Sequence, residues 1–210
     1  MATARTIDGP RALRSLRRSD PVLARLTKLV GPFELDVKQA SSVFAVLSEA
    51  IVYQQLNGRA AETIHGRVLA ACGVDGDGLT ADHILDTSDE ALRGAGLSRA
   101  KLASLRDLAH HDRAGTLPTV AEVDTMDDDE IVDHLTAVRG IGRWTAHMFL
   151  IFRLGRPDVL PIDDYAVRRA FGLVYEREMP TPKELAAHGE QWAPYRTVAS
   201  WYLWRALELP

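Results

Sequence analysis

Hydrophobic residues recur at helical intervals along most of the chain. Val43 to Tyr53 (VFAVLSEAIVY) is apolar almost all round, which predicts a buried helix. Residues 21–30 have apolar positions at helical spacing, and residues 58–71 predict a further helix. No alternation of apolar and polar residues is long enough to predict a β-strand. The pattern therefore predicts an all-α fold.

Residues that favour helix N-termini mark where further helices begin. Thr80, Ser88 and Ser98 each precede a helical segment, and the helix after Ser98 is expected to end near Ala114. The acidic residues around Asp127 suit the positive end of the next helix dipole. Later helices are predicted at residues 143–154, 165–175, 181–192 and 194–207.

The stretch LTAVRGIGRWTAHMFLIFRLG (Leu135–Gly155) has helical spacing on both sides of two glycines, Gly140 and Gly142. Because glycine adopts positive φ without steric cost, both are expected to supply a tight turn between two helices. The first N–H groups of the helix that begins at Arg143 lack intrahelical partners and would form an anion site. A glycine pair is also a common helix end, so the motif alone leaves both interpretations open.

Two carboxylates, Asp163 and Asp164, follow the hairpin after a link stiffened by proline. A carboxylate can stabilise the positive charge that develops on a sugar during glycosyl transfer, or direct a water molecule. Either residue could instead cap the helix that follows, and spacing alone favours that role for at least one of them.

Aromatic residues cluster near the C-terminus, where three of the four tryptophans lie within the last 20 residues. Such a cluster is more common in a hydrophobic core than in a ligand pocket. Electron-rich rings nevertheless stack well on an electron-poor, cationic base. The candidates are Trp144, Tyr165, Trp192, Tyr195, Trp201, Tyr202 and Trp204.

The composition excludes several classes of protein. Hydrophobic residues make up 46% and charged residues 26% of the chain, as in ordinary globular proteins. Cys72 is the only cysteine, which excludes intrachain disulfides, Cys-ligated zinc and iron–sulfur clusters. The sequence has neither a membrane-spanning apolar run nor a secretory signal, so a cytoplasmic protein without a membrane partner is expected. A net charge of -4 permits only a small, local contact with phosphates.

LTAVRGIGRWTAHMFLIF followed by VLPIDDYAVRRAF resembles the helix–hairpin–helix superfamily of DNA glycosylases, most of all its AlkA-type 3-methyladenine DNA glycosylase II branch. Further matching stretches, FAVLSEAIVYQQLNGRAA, GLSRAKLASLRDLA and EQWAPYRTVASWYLW, extend the resemblance over about Phe44 to Trp204. It implies two helical lobes with a DNA-binding cleft between them. One lobe would comprise residues 37–158 with the hairpin, and the other residues 1–36 and 159–210.

The resemblance also implies roles for single residues. Asp164 corresponds to the catalytic aspartate of the superfamily, and Asp163 is then expected to be a helix cap or a support. Gln55 corresponds to the wedge that fills the gap left by a flipped nucleotide, with Leu56 as the neighbouring candidate.

The base pocket implied by the resemblance is lined by Trp144, Tyr165 and Trp204. Met148 stands where the bacterial prototype has an aromatic residue, so this pocket is expected to be looser or differently shaped.

The resemblance implies that the hairpin binds both the DNA backbone and a cation. The residues expected to contact the backbone of DNA are Gly140, Gly142, Arg143 and Thr145. The backbone carbonyls of Thr136, Val138 and Ile141 match positions that hold a monovalent cation, Na⁺ or K⁺. No other cofactor is expected.

The implied function is that of a monofunctional DNA glycosylase in base excision repair. It would flip alkylated bases such as 3-methyladenine and 7-methylguanine out of duplex DNA and hydrolyse the N-glycosidic bond, leaving an abasic site. Bifunctional members carry a lysine at the position of Trp144 and form a Schiff base with the sugar, which tryptophan cannot do. The expected partner is double-stranded DNA containing alkylated bases, bound by a monomer in the cytoplasm or nucleoid.

Two alternatives remain from the sequence. A glycosylase for oxidised or mismatched bases is disfavoured by Trp144 and by the missing cluster cysteines. A helix–hairpin–helix DNA-binding module without activity is disfavoured by the presence of Asp164. Comparing the release of methylated and oxidised bases would separate these possibilities.

Overall fold

The computed structural model describes residues 7–38, 40–76 and 78–209, and all regular structure in these ranges is helical. The first helices are α1 (Gly9–Ser19), α2 (Pro21–Val30), α3 (Val43–Tyr53), α4 (Gly58–Ala71), α5 (Ala81–Asp86), α6 (Asp89–Gly94) and α7 (Arg99–Arg113). The later ones are α8 (Val120–Val123), α9 (Asp128–Thr136), α10 (Arg143–Phe152), α11 (Tyr165–Val174), α12 (Pro182–Gly189), the 3₁₀ helix η1 (Glu190–Trp192) and α13 (Arg196–Ala206). The all-α prediction is confirmed. In the described part of the chain, every helix is too short or too polar to cross a membrane.

The chain forms two compact units. The first lies within Gln39–Ala146, and the second combines parts of Thr3–Lys38 and His147–Pro210. The sequence predicts a lobe boundary after residue 158, whereas the first compact unit ends inside α10. The second half of α10 belongs to the second unit because it is packed there, with Phe152 stacked on Trp204. Residues 1–6 of the predicted second lobe lie outside the described ranges.

In the first unit, α7 is the helix on which its neighbours pack. α3, α5 and α6 all contact it. Leu105 and Leu108 of α7 are fully buried, as are Leu47 and Ile51 of α3. An all-round apolar helix such as α3 must be covered by other elements, and its predicted burial is confirmed.

The core of the second unit contains most of the C-terminal aromatic residues. Trp192, Tyr202 and Phe171 are fully buried, and Trp201 is nearly so. For these side chains the core interpretation of the aromatic cluster is right. α13 contacts α1, α2 and α11, and Val167 in the first turn of α11 belongs to this core.

A buried carboxylate, Asp20, joins several elements of the second unit. It caps α2 through the N–H groups of Val22 and Leu23. Its Oδ2 atom also accepts hydrogen bonds from the Tyr175 hydroxyl and from Nε1 of Trp192, the latter at 2.8 Å. Burial alone would raise the pKa of this carboxyl. The hydrogen bonds outweigh that effect, so its pKa lies below the ordinary value.

Several predicted helix bounds need correction. The segment predicted as one helix over 181–192 is α12 followed by the 3₁₀ turn η1, because the last turn tightens. Thr181 is the N-cap rather than the first helical residue. The last helix begins at Arg196 rather than at Pro194, since Tyr195 has non-helical backbone angles. Helix α8 was missed, although Thr119 and Glu122 form a capping box around its first turn.

Candidate active site and nucleic-acid interface

The turn between α9 and α10 depends on one of its two glycines. Gly140 has φ of +81°, which favours glycine. A Cβ atom there would also lie 2.5 Å from Oγ of Ser104. Gly142 lies outside the left-handed region, and an added Cβ would meet nothing within 4 Å. The expectation that both glycines supply positive φ is therefore wrong for Gly142.

Gly142 immediately precedes α10 at an exposed position, and its carbonyl accepts the N–H of Ala146. The first N–H groups of α10 have no partner within the helix and carry partial positive charge. Arg143 is exposed beside them, but Thr145 is buried. Any contact of Thr145 with a DNA backbone would therefore have to use its N–H group. The open space at Gly142 leaves room for an anion to approach α10.

The two wedge candidates lie on the turn between α3 and α4. Gln55 is exposed and has φ of +57°, one of two described non-glycine residues with positive φ. Leu56 is 38% exposed, which is high for a leucine. Backbone strain of this kind is found most often at ligand-contacting sites. The geometry is compatible with insertion of either side chain into a duplex.

Asp164 is the N-cap of α11. It is only 8% exposed, and its Oδ1 atom accepts hydrogen bonds from the N–H of Val167 at 2.8 Å and from Nε1 of Trp204 at 3.1 Å. Asp163 is exposed and does not cap the helix. Of the two roles expected for Asp163, the cap is wrong, because the side chain that turns back onto α11 belongs to Asp164, and the supporting role stays a prediction.

The four residues predicted to line the base pocket have different surroundings. Trp204 is half-buried and stacks on Phe152, with ring centroids 5.7 Å apart and planes 30° apart. Tyr165, the first residue of α11, is 65% exposed. Trp144 is 47% exposed in the first turn of α10, and Met148 is half-buried one turn later. The structure thus brings Trp204 next to Asp164 and leaves large surfaces of Trp144 and Tyr165 accessible.

Phe152 was not identified from the sequence as a site residue. Besides stacking on Trp204, it lines a cavity of about 360 Å³ in the second unit. Neither Asp164 nor Trp204 lines this cavity. The other lining residues are Glu34, Leu35, Asp36, Lys38, Arg153, Trp201 and Arg205. The Lys38 N–H donates to the Phe152 carbonyl at 3.0 Å and holds the cavity wall in place.

The hairpin carbonyls at which the sequence predicts a monovalent cation are neutral oxygen donors. Thr136 is the last residue of α9, where carbonyl groups lack intrahelical donors. The Val138 carbonyl accepts the N–H of Ile141 at 3.1 Å and retains a second lone pair. Among the described residues, no group of three or more His, Cys, Asp or Glu side chains is arranged to hold a metal ion. Oxygen donors of this kind favour hard cations over soft transition metals.

Comparison with known proteins shows which protein family has a similar sequence. A family model described as HhH-GPD superfamily base excision DNA repair protein matches residues 49–194. DNA-3-methyladenine glycosylase 1 of Schizosaccharomyces pombe is 35% identical over 187 residues, covering 88% of this chain and 82% of that protein.

Two solved structures are similar over almost the whole chain. The 3-methyladenine DNA glycosylase Mag1 of Schizosaccharomyces pombe, in complex with abasic DNA, has a TM-score of 0.82 at 34% identity over 95% of this chain and 97% of that one. DNA-3-methyladenine glycosidase of Bacillus halodurans has a TM-score of 0.84 at 36% identity over 95% and 89%. The resemblance to 3-methyladenine DNA glycosylases is confirmed.

The region matched by the family model includes the wedge candidates, the hairpin and Asp164. It spans more than half of the chain. The chain belongs to the HhH-GPD superfamily of base excision DNA repair proteins.

Proposed function

We propose that this chain is a monofunctional DNA glycosylase that removes alkylated bases from double-stranded DNA. Its substrates would be bases of the 3-methyladenine and 7-methylguanine type. The observation that carries the proposal is Asp164, a nearly buried carboxylate held by Val167 and Trp204 in a chain of this superfamily. The names of its relatives as 3-methyladenine glycosylases support the substrate class.

The reaction breaks the bond between C1′ of the deoxyribose and the base nitrogen, and a water oxygen takes the place of the base. Positive charge develops on the sugar as the base departs with the bonding electrons. The Asp164 carboxylate stabilises this charge, and the hydrogen bonds from Val167 and Trp204 help to fix its orientation beforehand. As the new bond between C1′ and oxygen forms, the water releases a proton to the solvent, and the products are a neutral free base and an abasic site.

An alkylated purine needs little further help to leave. Methylation at a ring nitrogen makes the base cationic, so it can depart without protonation by a general acid. Its electron-poor ring also stacks well on an aromatic face. The accessible surfaces of Trp144 and Tyr165 would supply such faces.

DNA binding would use the hairpin and the turn between α3 and α4. Phosphates would bind at the N-terminus of α10, where Gly142 permits close approach and Arg143 adds charge. Gln55 or Leu56 would fill the gap in the duplex after the base flips. Flipping costs a few kcal/mol and costs least for a weakly paired, damaged base, so substrate choice begins at this step.

A Na⁺ or K⁺ ion would be held by the carbonyls of Thr136, Val138 and Ile141. When bound, it would stabilise the turn and add positive charge near the phosphates. No other cofactor is required by this scheme. The protein would act as a monomer on chromosomal DNA in the cytoplasm or nucleoid.

The proposal is tested by incubating the purified protein with methylated DNA and separating the released bases by chromatography. Release of methylated purines, with abasic sites left in otherwise intact strands, is the expected result. Oxidised DNA is treated in parallel, and release of bases from the oxidised DNA alone would point instead to the oxidised-base alternative. Tight DNA binding without any released base would identify a module that binds DNA but lacks activity.

A further inference from the structure

The turn between α3 and α4 is tied to the hairpin by a side chain that the sequence analysis did not single out. Residues 54–57 form this turn, the wedge turn. Nε2 of Gln54 donates a hydrogen bond of 2.8 Å to the backbone carbonyl of Gly140, 86 residues away. Gln54 is also the C-cap of α3, with its N–H bonded to the Ala50 carbonyl. Its backbone is thus anchored to the helix while its side chain reaches the hairpin.

Helix α7 supports both partners of this hydrogen bond. Nζ of Lys101 donates to the Val52 carbonyl at 2.7 Å in the last turn of α3. Oδ2 of Asp107 accepts the N–H of Arg139 at 2.7 Å in the hairpin. Ser104 lies between them in the sequence and packs against the backbone of the hairpin glycine.

Lys101, Ser104 and Asp107 follow one another at intervals of three residues along α7, so they share one stripe of the helix. Burial lowers the pKa of the Lys101 ammonium, because this group gives up part of its hydration where it binds α3. The stripe supports the end of α3 and the hairpin at separate points. Gln54 then joins the two supported parts directly.

The residue next to Gln54 has an unfavourable backbone conformation. Gln55 has φ of +57°, and a non-glycine residue remains there only where its surroundings determine the backbone. The Leu56 N–H bonds to the Tyr53 carbonyl at 3.3 Å, and Asn57 caps α4. Contacts on both sides of Gln55 therefore determine the direction of the wedge turn.

We propose that Gln54 is a positioning residue for base flipping: its hydrogen bond to Gly140 holds the wedge turn at a fixed place relative to the hairpin. The inference rests on the proposed function. Binding of phosphates at the hairpin would then present Gln55 and Leu56 to the duplex without a further search for their position. A wedge turn released from the hairpin would have to be ordered during insertion, which slows flipping.

The test measures single-turnover release of 7-methylguanine from duplex DNA in four proteins. They are the unaltered protein, Gln54→Ala, the wedge variant Gln55→Ala/Leu56→Ala, and the combination of all three substitutions. Gln54→Ala is expected to lower the rate by about fivefold to tenfold, the factor that one hydrogen bond supplies. When Gln54→Ala is combined with the wedge variant, it should lower the rate little further, because no wedge side chain remains to be positioned.

The isosteric variant Gln54→Glu serves as the matched control for the hydrogen bond. It keeps the size of the side chain but loses the N–H donor, so it should be at least as slow as Gln54→Ala. Thermal unfolding should be nearly unchanged in both variants, since Gln54 lies at the surface.

The rates of the four proteins distinguish a failure of the Gln54 proposal from a failure of the proposed function. If Gln54→Ala slows the wedge variant as much as it slows the unaltered protein, Gln54 does not act through the wedge and the inference is wrong. Full activity of Gln54→Ala or of Gln54→Glu would refute it as well. If the unaltered protein releases no methylated base, the proposed function fails and the inference fails with it.

Discussion

The indole N–H of Trp204 donates a hydrogen bond of 3.1 Å to Oδ1 of Asp164, the same oxygen that accepts the N–H of Val167. The ring of Trp204 is held in turn by stacking on Phe152. The proposed catalytic carboxylate is therefore oriented from α11 by a backbone group and from α13 by a side chain. Such prior orientation is a large part of electrostatic catalysis.

Trp204→Phe should separate this orientation from aromatic packing. The variant keeps a ring beside Phe152 but loses the N–H donor. Since a hydrogen bond to a charged group contributes about 1.5–3 kcal/mol, base release should slow by about 10–100-fold. Affinity for an abasic duplex should change little. An unchanged rate of base release would show that the indole N–H does not assist Asp164.

Gly142→Val should weaken binding to all DNA sequences by a similar factor. A Cβ added at Gly142 meets nothing within 4 Å, and the valine side chain occupies the space through which a phosphate would approach α10. Because backbone contacts carry no sequence information, a loss confined to certain sequences would contradict this role. Affinity is measured on several undamaged duplexes at one salt concentration.

Gly66→Ala is a suitable control for the glycine substitution. Gly66 is exposed within α4, and an added Cβ meets nothing within 4 Å. The variant should bind DNA normally and gain up to about 1 kcal/mol of stability, since alanine favours helix. Gly142→Val should lose no more than about 1 kcal/mol of unfolding free energy, the usual effect of an unfavourable N-cap.

How far the sequence predicted this structure can be seen at the start of α11. The pattern located the helix and both acidic residues before it, and the resemblance chose Asp164 as the catalytic one. Neither the pattern nor the resemblance could show that Asp164 also caps the helix. Both aspartates are good caps, and the choice between them depends on which side chain turns inward. Resemblance marked Trp204 as a pocket residue but could not reveal its hydrogen bond to Asp164.

Long-range contacts were the other feature that the sequence could not provide. Gln54 is one of two adjacent glutamines, and the resemblance drew attention only to Gln55. Its bond to Gly140 depends on how α3 and the hairpin pack against α7. Likewise, an Asp20 that precedes a proline suggests a helix cap, but not a carboxylate that binds Trp192 across 172 residues.

Asp20 should make the stability of the protein depend on pH. Its pKa is lowered in the folded state, so its stabilising effect is present above the ordinary value of 3.8 and is lost as pH falls through the folded pKa. Asp20→Asn should therefore be less stable than the unaltered protein at pH 7, by at least about 2 kcal/mol, because the Trp192 N–H loses its acceptor. The difference should begin to shrink as pH falls below 3.8, because the unfolded carboxyl gains its proton before the folded one.

Denaturant unfolding at pH 7 and at pH 3 measures the difference. Asp8→Asn is the matched control, since Asp8 also caps a helix but is exposed. Asparagine caps equally well, so this control should change stability little at either pH. A pH-independent effect of Asp20→Asn would contradict the interpretation.

The unaltered protein should not be trapped on DNA by borohydride. Trapping requires an amine that forms an imine with the sugar, and Trp144 supplies none. Trp144→Lys should release methylated purines more slowly, since stacking on an aromatic side chain contributes about 1–3 kcal/mol per base. Efficient trapping of the unaltered protein would overturn the monofunctional assignment.

The central claim is that the Asp164 carboxylate stabilises the charged sugar, and Asp164→Asn tests it most directly. Asparagine keeps the oxygen that accepts from Val167 and Trp204 and still caps α11, so the variant should fold and bind abasic DNA normally. Loss of about 3–4 kcal/mol of electrostatic stabilisation should lower the single-turnover rate of methylated-base release by about 10²–10³-fold. Asp163→Asn, at the exposed neighbour, should remain active. A nearly active Asp164→Asn together with an inactive Asp163→Asn would contradict the assignment.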